Sequence, residues 1–135
     1  MTPKVYEIDG SRFSTVEGFY YQVTRALGLP SQCGSNLDAF EDVLQGGFGT
    51  PEEGFVIRWK DYEISKRRLG YSETTRQLAM RLEKCDATAR DEVSKRLELA
   101  RLGQGPRAFD WLVEIIRDHG PGGRQEGDHV DLILD

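Results

Sequence analysis

Asp38, Glu41 and Asp42 fall within five consecutive positions, inside a stretch from Ala26 to Ile57 that contains no Lys or Arg. Two carboxylates one helical turn apart could act as acid and base, in the manner of glycoside hydrolysis. Against that chemistry, no His, Lys or Arg in the segment would position a substrate, and acids on a single helix do not flank a cleft. A second reading is a solvated helix face. Faces selected for solubility mix both signs, however, whereas a helix that meets a cationic cleft carries acids without countercharges. No Ser-His-Asp or Cys-His set suggests nucleophilic catalysis elsewhere, so no catalytic residue is expected.

The charge distribution sharpens the binding reading. Residues 1–54 hold eight Asp and Glu against three Lys and Arg, a net of −5, and the rest of the chain holds fifteen of each. The whole formal net charge of −5 therefore sits in the first 54 residues. Such asymmetry bears on partners and favours a cationic protein over nucleic acid or an anionic membrane. The two cysteines, Cys33 and Cys85, are too few for a disulfide framework and are expected as thiols. With His119 and His129 they form no zinc-like spacing, so neither a metal nor a cofactor is expected.

The chain of 135 residues, 38% apolar and 30% charged, suits one domain with a real core. No apolar run approaches the roughly 18 residues that span a bilayer, and Met1 to Val5 lacks the apolar stretch of a signal peptide. A cytoplasmic location is the expectation.

The elements that must position the acids follow from periodicity. Val5 to Ile8 reads as a strand closed by Asp9-Gly10, and a Ser14/Glu17 capping box predicts a helix from Ser14 to about Leu27, with Val16, Phe19, Tyr20, Val23 and Leu27 on one side. Gly28 and Leu29-Pro30 stop it. Ser35 and Asp38 fit a second capping box. At about 100° per residue, Leu37, Phe40, Val43 and Leu44 form the buried arc of that helix, while Glu41, Asp38 and Asp42 fall at roughly 40°, 100° and 140° from Leu37. Phe55 to Trp59 is a second strand and Asp61 to Leu69 a short polar helix. From Gly70 to Gly103 a helical hairpin is expected, broken at Asp86-Ala87, with Leu78, Leu82 and Cys85 facing Ala89, Val93, Leu97 and Ala100. Pro106 should open a last amphipathic helix, with Phe109, Leu112, Val113 and Ile116 inward, ending at Gly120; His129 to Leu134 closes the chain as a strand. Strands separated by helices argue for an α/β fold with a small three-stranded parallel sheet packed by helices.

At the acidic segment the sequence resembles the barstar family, intracellular inhibitors of secreted microbial ribonucleases of the barnase type. The resemblance rests on Leu29-Pro30, Gly34, Asn36-Leu37-Asp38-Ala39 and Asp42, and extends to Val5–Leu27, to Trp59 with Ser65-Lys66, and to Phe109–Asp135. It implies a single domain over residues 1–135, with about 70–105 inserted as the hairpin. It implies that Asp42 enters a nuclease active site in place of a phosphate, that Asp38 supports it, and that Asp118 is an outlying acidic contact. Asn36, Gly34, Gln32, Cys33 and Glu41 complete the implied interface. Where family members carry aromatics, this chain has Gln32, Cys33 and Glu41, which removes apolar anchors and adds charge. Electrostatic steering and a dominant aspartate are measured properties of the barnase and barstar pair, so they come with the resemblance and not from the composition. The implied partner is a basic extracellular-type ribonuclease or nuclease toxin, bound one to one; the alternative is an interaction or regulatory module with a non-nuclease partner. The hairpin, whose charges nearly balance, is expected to be dispensable for binding.

Overall fold

The structure, a computed structural model, describes residues 4–29, 37–44, 54–123 and 129–135. Three strands, β1 (Lys4–Asp9), β2 (Phe55–Lys60) and β3 (Val130–Leu134), form one parallel sheet in the order β1-β2-β3. The register pairs Tyr6 with Ile57 and Ile57 with Leu132, so alternate residues of all three strands share a face. The inner face carries Ile8, Phe55, Ile57, Trp59 and Val130, all buried. The outer face is largely exposed: Val5 and Ile133 are open to solvent, and Arg58 bridges the two edge strands by ion pairs to Glu7 and Asp135 at 3.7 and 2.7 Å. Helices therefore cover one side of the sheet.

On the covered side lie α1 (Val16–Ala26), α2 (Leu37–Leu44) and α6 (Ala108–Asp118), and α3 (Tyr62–Arg68) follows β2. Their apolar stripes meet in one core: Val16, Phe19, Tyr20 and Val23 of α1, Phe40 and Leu44 of α2, and Phe109, Leu112 and Ile116 of α6. Trp59 lies at its centre, with ring centroids 4.9 Å from Phe19 and 5.2 Å from Phe109. Its indole N–H donates to Ser65 Oγ at 2.9 Å, and that hydroxyl donates onward to the Gly10 carbonyl at 2.8 Å. This satisfies the polar atoms of a wholly buried Trp and Ser. A Cβ at Gly10 would collide with Ser65 Oγ, which requires glycine there.

The hairpin is α4 (Tyr71–Lys84) and α5 (Ala87–Arg101), broken at Cys85 and Asp86, one residue earlier than the expected Asp86-Ala87, because Asp86 serves as the N-cap of α5. It has its own small core of Leu78, Val93, Leu97 and Ala100. Its root is nonetheless built into the domain. Glu73, 5% exposed, accepts the Val16 N–H at 2.7 Å, and Thr74 Oγ1 accepts the Ala108 N–H at 2.7 Å. Two adjacent residues of α4 thus cap the first N–H groups of both α1 and α6, donors that a helix cannot satisfy internally.

Two predicted helix starts are corrected. The N-cap of α1 is Thr15, whose hydroxyl accepts from the Gly18 N–H at 3.0 Å, so α1 starts at Val16 and not at Ser14. Glu17 is drawn away from the expected box by Gln77, which donates to it at 2.8 Å, and by an ion pair with Arg76. Pro106 does not open α6; Arg107 is its N-cap, and Asp110 closes a capping box by accepting the Arg107 N–H at 2.9 Å. The same helix ends at Asp118 and not at Gly120, and α1 ends through Gly28 at φ 73°, with the Leu29 N–H bonded to Thr24 O at 2.9 Å. Among the described residues, no helix is long and apolar enough to cross a membrane.

Candidate functional site

The acidic segment is organised around Phe40. Its ring packs edge-on to Phe19 at 5.3 Å and against Tyr20 at 5.6 Å, which fixes α2 to the first half of α1. Phe40, Val43 and Leu44 are each 1% exposed, so these three members of the arc assigned to the core from spacing are buried, while the Leu37 side chain lies outside the described residues. Glu41 lies off that arc and is partly exposed, and among the described residues it forms no ion pair. The last turn of α2 contains no basic residue. Asp38 and Asp42 belong to the helix. Their side chains, and all of Gln32, Cys33, Gly34 and Asn36, lie outside the described residues, as does the Ser35/Asp38 capping box.

Asp118, the last residue of α6, is partly exposed and lines a shallow groove of about 400 Å³ together with Glu114, Arg117 and the Pro121–Gly123 turn. That turn packs against the helix end, and a Cβ at Gly123 would collide with the Arg117 and Asp118 carbonyls. Since α6 and α2 are anchored in one core, Asp118 and Glu41 belong to one rigid body. Such a surface can present fixed carboxylates to a cationic protein. Among the described residues, no cluster of His, Cys, Asp and Glu could hold a metal ion.

The acid that spacing alone did not single out is Glu73. Besides Val16 it accepts from Arg76 Nε at 2.6 Å and from Gln77 Nε2 at 3.0 Å, so its charge is consumed by the fold. At the rim of this cluster, partial burial pushes the Glu17 carboxyl up, but hydrogen bonds from Gln77, its own backbone N–H and Arg76 outweigh it and hold the group below its usual range. The Arg76 guanidinium is correspondingly held charged, chiefly by its hydrogen bond to Glu73. One local signal pointed here: Thr15 caps Gly18 and leaves the Val16 N–H to find an acceptor elsewhere.

The hairpin root caps the N-terminus of α1 through Glu73, and α2, the next helix in the chain, packs on Phe19 and Tyr20 of the same helix.

Residues 3–100, nearly three quarters of the chain, match the model of the family described as Barstar (barnase inhibitor), and the chain belongs to that family.

Proposed function

We propose that this member of the barstar family is a protein inhibitor that occludes the active site of a basic ribonuclease or nuclease toxin in a one-to-one complex, acting in the cytoplasm as an immunity protein. The reading assigns no chemistry to the chain itself. Asp42 enters the cationic cleft, Asp38 and Glu41 reinforce it, residues 32–36 form the approach loop with Gln32, Cys33, Gly34 and Asn36, and Asp118 supplies an outlying contact.

One observation carries the reading: α2 is fastened to the core through Phe40, Val43 and Leu44, while the neighbouring Glu41 finds no cation in its own chain among the described residues. An acid left without an internal partner on a rigid support is available to a partner's Arg or Lys at little cost in ordering. With Gln32, Cys33 and Glu41 in place of apolar anchors, the interface relies on charge more than on aromatic burial, which favours a strongly basic target.

Capture on the immobilised chain from the source cell and its medium, at low and high salt, tests the reading. The expected product is a basic nuclease held by the native chain, released by salt and absent from an Asp42→Ala column. Capture of an acidic or non-nuclease protein in its place, retained equally by Asp42→Ala, would contradict it.

A further inference from the structure

Where the hairpin joins α6 there is a second groove, unrelated to the acidic segment, with a volume of about 440 Å³. Pockets that seat organic groups commonly run from about 300 to 1,000 Å³ and are mostly apolar, with a few polar groups. Leu78 lies fully buried in its wall, Pro106 and Leu99 border it, and Trp111 packs against both the main core and the hairpin core. Leu99 is 44% exposed, and Leu102, three residues further along, is 68% exposed, so apolar surface continues beyond the groove. That extent suits a polypeptide better than a small molecule.

The rim sets the sign of the occupant. It carries Glu92, Arg96 and Glu114, and Arg96 is already paired with Glu92 at 3.3 Å. Glu114 forms no ion pair among the described residues, which leaves the rim with one uncompensated negative charge. The Trp111 indole N–H donates to no acceptor among the described residues, so an incoming carbonyl can take it. We propose that this groove docks a basic segment of a partner polypeptide, seating a leucine-like side chain against Leu99 and Trp111 while a neighbouring Lys or Arg meets Glu114. The proposal goes beyond the inhibitor reading and does not depend on it.

The chain has two tryptophans, and Trp59 is 0% exposed and held by Ser65, so an emission change on binding reports Trp111. The experiment titrates the full chain with three acetylated, amidated hexapeptides: Lys-Leu-Lys-Lys-Leu-Lys, the same with Glu for Lys, and the same with Ser for Leu. The Lys-Leu peptide should give a saturable change, with the other two at least about tenfold weaker, or about 1.4 kcal/mol. Leu99→Lys and Glu114→Lys, both surface changes, should each weaken it by a similar factor without lowering the unfolding temperature, and Asp42→Ala should leave it intact. Equal responses to the three peptides, no response, or loss in Asp42→Ala would overturn the proposal. So would a concentration-dependent dimer abolished by Leu99→Lys, because a second copy of the chain would then cover the groove.

Discussion

Glu73 on the hairpin and Glu41 on α2 are both helix carboxylates, and the fold treats them in opposite ways. Glu73 is nearly inaccessible and receives four hydrogen bonds, from Val16, Gln77 and twice from Arg76. Burial of a charge costs free energy that only such a full set of donors offsets. Glu41 is partly exposed in a segment without a single Lys or Arg, and its helix is anchored through the apolar contacts of Phe40 with Phe19 and Tyr20. The contrast separates two uses of acidity: one carboxylate is spent on joining helices, whereas the other forms no ion pair among the described residues and, on the proposed function, serves a partner.

The largest effect should come from Asp42→Ala, which is expected to weaken partner binding by about 3 kcal/mol or more, as truncating a central charged anchor does. Unfolding in urea should be unchanged or slightly harder, since a like charge four residues from Asp38 is removed and Ala is the better helix former. A marked loss of stability would erase the contrast. Glu73→Ala should do the reverse: about 2 to 3 kcal/mol less stability, from an orphaned Val16 N–H and an Arg76 left with Glu17 alone of its two carboxylates, with affinity for the partner retained. Unfolding and binding measured on the same sample distinguish these outcomes. The sequence leads one to expect that the whole 70–105 segment is dispensable for binding, but its removal deletes this cap, so a deletion that begins beyond Thr74 is the one expected to leave both fold and binding intact.

Thr74→Val sharpens the same point at smaller scale. It removes the acceptor of the Ala108 N–H and should cost about 1 kcal/mol, read as a lower urea midpoint with partner affinity unchanged. The smallest effect is in pH. The folded Glu17 carboxyl is held below its usual value, so the folded state binds its proton less readily than the unfolded chain does. The stability it contributes is present above the unfolded value of about 4 and is lost as pH falls through the folded one. Glu17 is half-exposed, so Glu17→Gln should flatten the acid limb of stability against pH by only a few tenths of a kcal/mol. An unchanged acid limb would mean that the rim of the Glu73 cluster contributes nothing.

Much of the architecture was legible because it is local. Short apolar, β-prone runs at Val5–Ile8, Phe55–Trp59 and His129–Leu134, set off by turn residues, mark the strands, and the Phe40, Val43, Leu44 spacing marks the buried side of α2. The break at Asp86 has a mechanism readable in the chain, since its side chain accepts from Ala89 N–H at 3.1 Å. The Glu73 cap joins residues 57 apart, and no periodicity encodes such a pairing. The same long-range pull misled the Ser14/Glu17 capping box, because Gln77 and Arg76 compete for Glu17. That, among the described residues, helices cover one face of the sheet was hidden too: Glu7, Arg58 and Asp135 look like ordinary surface charges until the register sets them in a row. At the candidate site, the type and order of the acids were legible, and Glu41 and Asp118 are found at the surface of one core.

The most direct test of the inhibitor account is a titration of secreted basic ribonucleases of the barnase type with the native chain, following RNA cleavage and the association rate at low and high ionic strength. The account predicts complete loss of cleavage at one equivalent for at least one such enzyme, with an association rate that falls steeply as salt screens the acidic first 54 residues. Full cleavage at a large molar excess of the chain across the panel, or inhibition whose rate is indifferent to salt, would contradict it.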